Sequence, residues 1–216
     1  MAHLRKPNRI LITGFAPFGG FSENPSQWIA QEPWKTADAE EIYTHVLPVS
    51  ASKIPETLFQ LLDQIQPSIC LHFGLASQAS QVRIERIAIN LLDMRIPDND
   101  GIQHTDKSIL ESGETAYFST LPCRTILTQL HQSGVPAELS YSAGTFICNQ
   151  AMYLSLHYAM RKRVPKQSGF IHIPNTPEQA ALHSGTSSIH YDTLKRAVRV
   201  IIDTCLSNAV EEGGLK

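Results

Sequence analysis

Short runs rich in β-branched and aliphatic residues recur along the chain, and stretches with helical spacing of apolar residues separate them. This alternation constrains the fold most, because strands joined through helices are driven to lie parallel in one sheet. Arg9-Ile10-Leu11-Ile12-Thr13 reads as a first strand and runs into the turn-rich stretch GFAPFGGFSENP. Ile54, Leu58, Leu61, Leu62 and Ile65 recur at helical spacing, and Gln66-Pro67 ends that helix. Ser68 to Gly74 is a buried-strand candidate, and Val82 to Leu92 is a second extended run. Pro122 opens a helix through Ile126, Leu127 and Leu130 that Gly134 stops, and Ala137 to Tyr141 is a strand. Ile147, Ala151, Leu154 and Tyr158 mark one face of a further helix, whose last turn carries Arg161, Lys162 and Arg163 ahead of Pro165. Gly169 to Ile173 is a strand, and Leu194, Val198, Ile201 and Cys205 line a terminal helix. The pattern predicts an α/β sandwich with a largely parallel sheet. With 216 residues and no repeat or linker, the expectation is a single domain over 1–216.

Charge narrows the partners. Eighteen Lys+Arg against twenty Asp+Glu give a net charge of −2, and the only basic cluster is Arg161-Lys162-Arg163. A nucleic-acid or anionic-membrane surface is therefore not expected. No apolar run is long enough for a signal peptide or a spanning segment, and Cys70, Cys123, Cys148 and Cys205 are widely spaced. Free thiols and a cytoplasmic location follow as expectations. Gly14 and Gly19 have phosphate-loop separation, but Gly20 stands where that loop needs lysine. The nine histidines form no metal-ligand spacing, and Cys70 with His72 on one strand face supplies only two ligands. Asp98-Asn99-Asp100-Gly101 looks like a calcium loop, yet Ile96 falls where its first carboxylate belongs, which leaves turn chemistry.

Three residues carry a sharper reading. Cys148 follows the tight loop Ser142-Ala143-Gly144-Thr145 and falls in the first turn of a helix. Unpaired N–H groups and the helix dipole favour a thiolate there. A thiol near pKa 8.5 is only about 3% ionised at pH 7, and lowering that value to about 6 ionises roughly 90%. The same position also suits an inert buried thiol. His172 lies near the C-terminal end of Gly169-Phe170-Ile171-His172-Ile173, where α/β sheets place their sites, although such a histidine also serves as a satisfied core residue. Alternation puts Glu85 on the face of Ile87, Ile89 and Leu91, where an unpaired carboxylate costs several kcal/mol. An internal salt bridge to Arg83 on that face would satisfy it; a Cys-His-carboxylate set would do so with chemistry attached.

TGFAPFGG with Asn24-Pro25, IERIAINLLDMRIPDNDG, AYFSTLP, SAGTFICN and GFIHIPNTPEQ stand in the order and rough spacing of the cysteine-type pyroglutamyl-peptidases, the pyrrolidone-carboxylate peptidases. The chain resembles that family from Ile10 to about Gln179. The resemblance implies a three-layer α/β/α sandwich with a mostly parallel twisted central sheet. It also implies release of N-terminal pyroglutamate from peptides in the cytoplasm, no metal or cofactor, and a homo-oligomer, a tetramer in bacterial members. By motif, Cys148 matches the nucleophile, His172 the base, Glu85 the third member and Arg95 an assisting arginine. Phe15, Phe18, Phe146, Ile147 and Ile96 match the apolar walls around the pyrrolidone ring. The chain departs from the family at Leu75-Ala76-Ser77-Gln78-Ala79, where Gln-Ala-Gly-Gly-Arg is usual, at Gln150 for a frequent His, and at Asn175 for a common aromatic. Leu75 thus enters as a substrate-binding candidate whose contact runs through main chain or side chain. A related thiol amidohydrolase for another small cyclic acyl group, and a silent binding protein of the same fold, stand as alternatives.

Overall fold

A computed structural model describes residues 7–36, 40–182 and 185–214, with side chains as far as Ala209. In chain order the elements are β1 (Arg9–Phe15), α1 (Pro25–Gln31), β2 (Glu41–Leu47), α2 (Ile54–Ile65), β3 (Ile69–Leu75), β4 (Val82–Glu85) and β5 (Ile87–Ile89). They continue with β6 (Ala116–Phe118), α3 (Cys123–Gln132), β7 (Ala137–Ser140), α4 (Ile147–Lys162), β8 (Gln167–Ile173), α5 (Pro177–Ala181) and α6 (Tyr191–Gly214). The main sheet has the order β2-β1-β3-β8-β4-β7, and β5 with β6 forms a small second sheet. Every neighbouring pair of the main sheet is parallel except β4 with β8.

Pleating sorts the side chains onto two faces, since successive residues of a strand point opposite ways. Ile10, Ile12, Ile69, Leu71, Phe73, Val82, Ile84, Ile171 and Ile173 pack with α1, α3 and α6 in one core. Leu11, Cys70 and Phe170 pack with α2 and α4 in the other. Helices thus cover both faces, which makes the three-layer sandwich. The same alternation turns Glu85, Gly74 and His172 towards the α4 face.

Two expectations need correction. The run from Val82 to Leu92 is not one strand: it breaks at Arg86, with β4 in the main sheet and β5 in the small one. Glu85 therefore does not share a strand face with Ile87 and Ile89, which are only half-buried while Ala88 between them is buried. Nor does α4 bury just one face. Residues 149–156 of α4 are all buried, because the helix is wedged between the sheet, α2 and the β5–β6 pair.

The turn-rich stretch after β1 owes its glycine to a close crossing. A Cβ on Gly14 would lie 1.8 Å from the Ser26 carbonyl oxygen, so only glycine lets α1 begin there. Asn24 caps α1 by accepting from the Ser26 N–H at 3.0 Å. Asp98 is a turn residue: its carboxylate accepts from the amides of Asp100, Ile102 and Ala51. No helix among the described residues is long and apolar enough to cross a membrane.

Candidate active site

Cys148 is the second residue of α4, after Phe146 at the cap and Ile147. The turn into the helix is made by Gly144 at φ +78°, and no side chain caps the first-turn amides. Gln150 N donates to Phe146 O at 3.1 Å, so the amides of Ile147, Cys148 and Asn149 precede the first intrahelical bond. Cys148 is half-buried, whereas Cys70, Cys123 and Cys205 are fully buried. Burial pushes those three thiols up, Cys70 to about 12, and holds them protonated.

His172 sits on β8 beside Gly74 of β3. Its Nδ1 is 2.8 Å from Glu85 Oε1, and its ring packs against Phe170 at a centroid distance of 4.7 Å. Burial works against the charged imidazole, but the charge of and hydrogen bond to Cys148, then those of Glu85, outweigh it. The net result pushes His172 up to about 9. Glu85 is 1% exposed, and its Oε2 has no partner among the described residues. Arg83 does not supply one. Its Nε pairs with Glu138 Oε1 of β7 at 2.8 Å, because parallel register sets those two residues side by side. The expected alternative of an Arg83–Glu85 bridge is thereby set aside.

A second histidine on the sheet has neither neighbour. His72 lies on the same sheet face, with Thr13 Oγ1 at 2.7 Å from Nδ1 and Cys70 Sγ at 3.4 Å from Nε2. Burial lowers its pKa to about 3 and keeps it neutral. The difference between the two imidazoles is their neighbours: Cys148 and Glu85 raise His172, and burial alone acts on His72.

Cys148, His172 and Glu85 line a cavity of about 440 Å³ together with Phe18, Leu75, Arg95, Ile96 and Phe146. Arg95 and Ile96 are exposed to it, and Arg95 has no ion-pair partner among the described residues. Phe15 and Ile147 are set deeper, in an adjoining pocket of about 10 Å³ that shares Phe18, Leu75, Phe146 and Cys148 with the larger space. Asn24 and Val49 also line that small pocket and escaped the sequence reading. Asn24-Pro25 carries only a helix-start signal, and Val49 lies in a loop with no periodicity to place it.

Leu75 offers main chain as well as side chain. Ala76 N donates to Ile173 O of β8, and amides alternate in direction along a strand. The Leu75 N–H and C=O therefore point the other way, towards β1, whose pairing with β3 ends at Thr13 and His72. That leaves a crevice where neighbouring strands part, beside Phe15 and Phe146.

A family model described as pyroglutamyl peptidase matches residues 8–208. The chain is similar to a pyrrolidone-carboxylate peptidase of Pyrococcus furiosus, at 45% identity over 204 residues, covering 92% of this chain and 98% of that protein. A pyrrolidone-carboxylate peptidase of Brevibacillus brevis is 39% identical over 209 residues, covering 95% and 97% of the two. Among solved structures, the pyrrolidone carboxyl peptidase of the hyperthermophile Pyrococcus furiosus matches with a TM-score of 0.89 at 43% identity, over 93% of this chain and 99% of that one.

Proposed function

The chain belongs to the pyroglutamyl peptidase family, and on that premise we propose how its own residues divide the reaction. It is a cysteine peptidase that removes an N-terminal pyroglutamyl residue from peptides. Cys148 is the nucleophile in this reading. Its thiolate attacks the carbonyl joining pyroglutamate to the next residue, forming a C–S bond and a tetrahedral oxyanion. The open amides at the start of α4, that of Cys148 included, donate to this oxyanion. His172, charged, gives its proton to the departing amine as the C–N bond breaks and leaves a thioester. The neutral imidazole then takes a proton from water, which attacks the thioester and frees pyroglutamate and the thiolate. Glu85 holds Nδ1 and stabilises the imidazolium, and Arg95 assists from the cavity wall.

Phe15, Phe18, Phe146, Ile147 and Ile96 supply apolar walls for the lactam, with the Leu75 main chain as its hydrogen-bonding edge. A lactam has no charged amine, so such walls accept it and penalise an ordinary N-terminal Glu or Gln, whose ammonium must be desolvated. We further propose that the whole chain folds as one domain, acts in the cytoplasm and assembles as a homotetramer. Four unpaired cysteines support a reducing compartment. Phe118 and Tyr141, both exposed and flanking Arg86, whose main chain bonds Ser119 and Ser140, offer apolar area to a second copy.

The observation that carries the residue assignment is the partially exposed thiol at an uncapped helix start, facing an imidazole paired with a buried carboxylate. Hydrolysis of a pyroglutamyl-arylamide, with and without iodoacetamide, tests it. Turnover lost on alkylation of Cys148 is the expected result, and turnover indifferent to the reagent contradicts it.

A further inference from the structure

Two walls of the cavity are fastened to one short segment, Asn175 to Gln179. Asn175 is 1% exposed, and its Nδ2 donates to the Ser77 carbonyl oxygen at 2.7 Å. Leu75, Ala76, Ser77 and Gln78 line the cavity in succession. The Asn175 backbone is itself held, since its carbonyl accepts from Ile189 N at 2.9 Å and it bridges to Ser188. Two residues on, α5 starts in a capping box: Thr176 Oγ1 accepts from Gln179 N, and Gln179 Oε1 accepts from Thr176 N at 3.1 Å. That box consumes the oxygen of the Gln179 carboxamide and leaves its nitrogen. Gln179 Nε2 reaches 3.2 Å to the carbonyl oxygen of Glu23, in the loop that runs from Phe18 to Asn24. Phe18, Gly19 and Phe21 of that loop line the large cavity, and Asn24 lines the small one.

We propose that Asn175 and Gln179 are positioning residues for the acyl pocket: their carboxamide N–H groups clasp the Ser77 and Glu23 carbonyls and fix the Leu75 edge and the phenylalanine wall at a set separation. Neither side chain has a hydrogen-bond partner among Cys148, His172 and Glu85. The clasp therefore acts on ground-state binding of the lactam and not on the thiol–imidazole pair. Preorganised walls lower the ordering cost of binding, and a pocket that is loose by a fraction of an ångström binds a small rigid ring poorly.

This inference rests on the reading of the cavity as the pyroglutamyl site, and the test separates the two. Asn175→Asp and Gln179→Glu are nearly isosteric and set a carboxylate oxygen, with its charge, where the donor faced a carbonyl oxygen, and Gln179→Glu keeps the oxygen that completes the capping box. Steady-state hydrolysis of a pyroglutamyl-arylamide gives kcat and KM, inhibition by 2-pyrrolidone gives Ki for the bare ring, and the rate of iodoacetamide alkylation reads the Cys148–His172 pair without substrate. Each variant is expected to raise KM and Ki together by about 5- to 20-fold, the loss of one part-buried hydrogen bond. In the same variants kcat and the alkylation rate stay within about twofold of wild type. Unchanged KM and Ki overturn the clasp, and so does a fall in kcat and alkylation rate that matches the change in KM. Should Asn175→Asp fail to fold, Gln179→Glu still decides. A wild type that does not hydrolyse the arylamide contradicts the functional reading, whereas a variant that binds as wild type contradicts only the clasp.

Discussion

Glu85 has two carboxylate oxygens and, among the described residues, one side-chain hydrogen bond. Oε1 meets His172 Nδ1 at 2.8 Å and Oε2 is buried without a partner among the described residues. A carboxylate held this way is retained through its cation, so its role and that of His172 are one property. The sign of the pH dependence follows. The His172 value is raised above that of a free imidazole, so the charged ring stabilises the folded chain fully below about 6.5, and that contribution is lost as pH rises through about 9. The general-acid step fades over the same alkaline range. In Glu85→Gln the amide oxygen still accepts from Nδ1–H while the charge is gone, so the alkaline limb of kcat/KM moves to lower pH. The loss of kcat is smaller than in His172→Ala. A pH–rate profile checks both, and an unmoved alkaline limb contradicts the pairing. At this scale the placement of Cys148 at a helix start and of His172 near a strand end was legible in the sequence. It was ambiguous for Glu85, because the partner of Arg83 is on β7 and only strand register reveals it.

The strands and helices of the site meet with little clearance. A Cβ on Gly74 would lie 3.0 Å from Cys148 Sγ and 2.6 Å from the Phe170 ring, so β3 and α4 approach through a position that must lack a side chain. Phe170 in turn backs the His172 ring. Gly74→Ala therefore displaces the thiol or the ring that supports the imidazole. Overpacking predicts a stability loss of about 1–3 kcal/mol. Misplacing a reacting group predicts a kcat drop of about tenfold or more. Thermal denaturation and single-turnover kinetics on the purified variant measure the two, and near-wild-type kcat contradicts the close approach. Periodicity exposed the long elements α2, α3, α4 and α6. It missed α1, β2, β6 and α5, which have seven, seven, three and five residues. Elements this short take their stability from tertiary contacts, and β2 is an edge strand with several exposed residues, so it shows no apolar face to read.

Across the molecule, the site exists because β8 lies between β3 and β4 while α4 crosses the face that carries even-numbered β8 residues. The βα alternation announced an α/β sheet, and it could not announce that β4 runs against β8. That reversal pairs Arg83 with His172 across the two strands and brings Glu85 within reach of the imidazole. The arrangement also separates the four cysteines by exposure. Three are sealed in the two cores, and one stands at the cavity. The proposed reaction passes through a thioester on Cys148, and trapping it is the direct measurement. Acid quench of the enzyme during turnover of a pyroglutamyl ester, followed by proteolysis and mass spectrometry, should find the mass of one pyroglutamyl group on the peptide containing Cys148. The adduct should be absent from Cys148→Ala, which remains folded and inactive. An acyl group on any other residue, or turnover that survives in Cys148→Ala, would contradict the account.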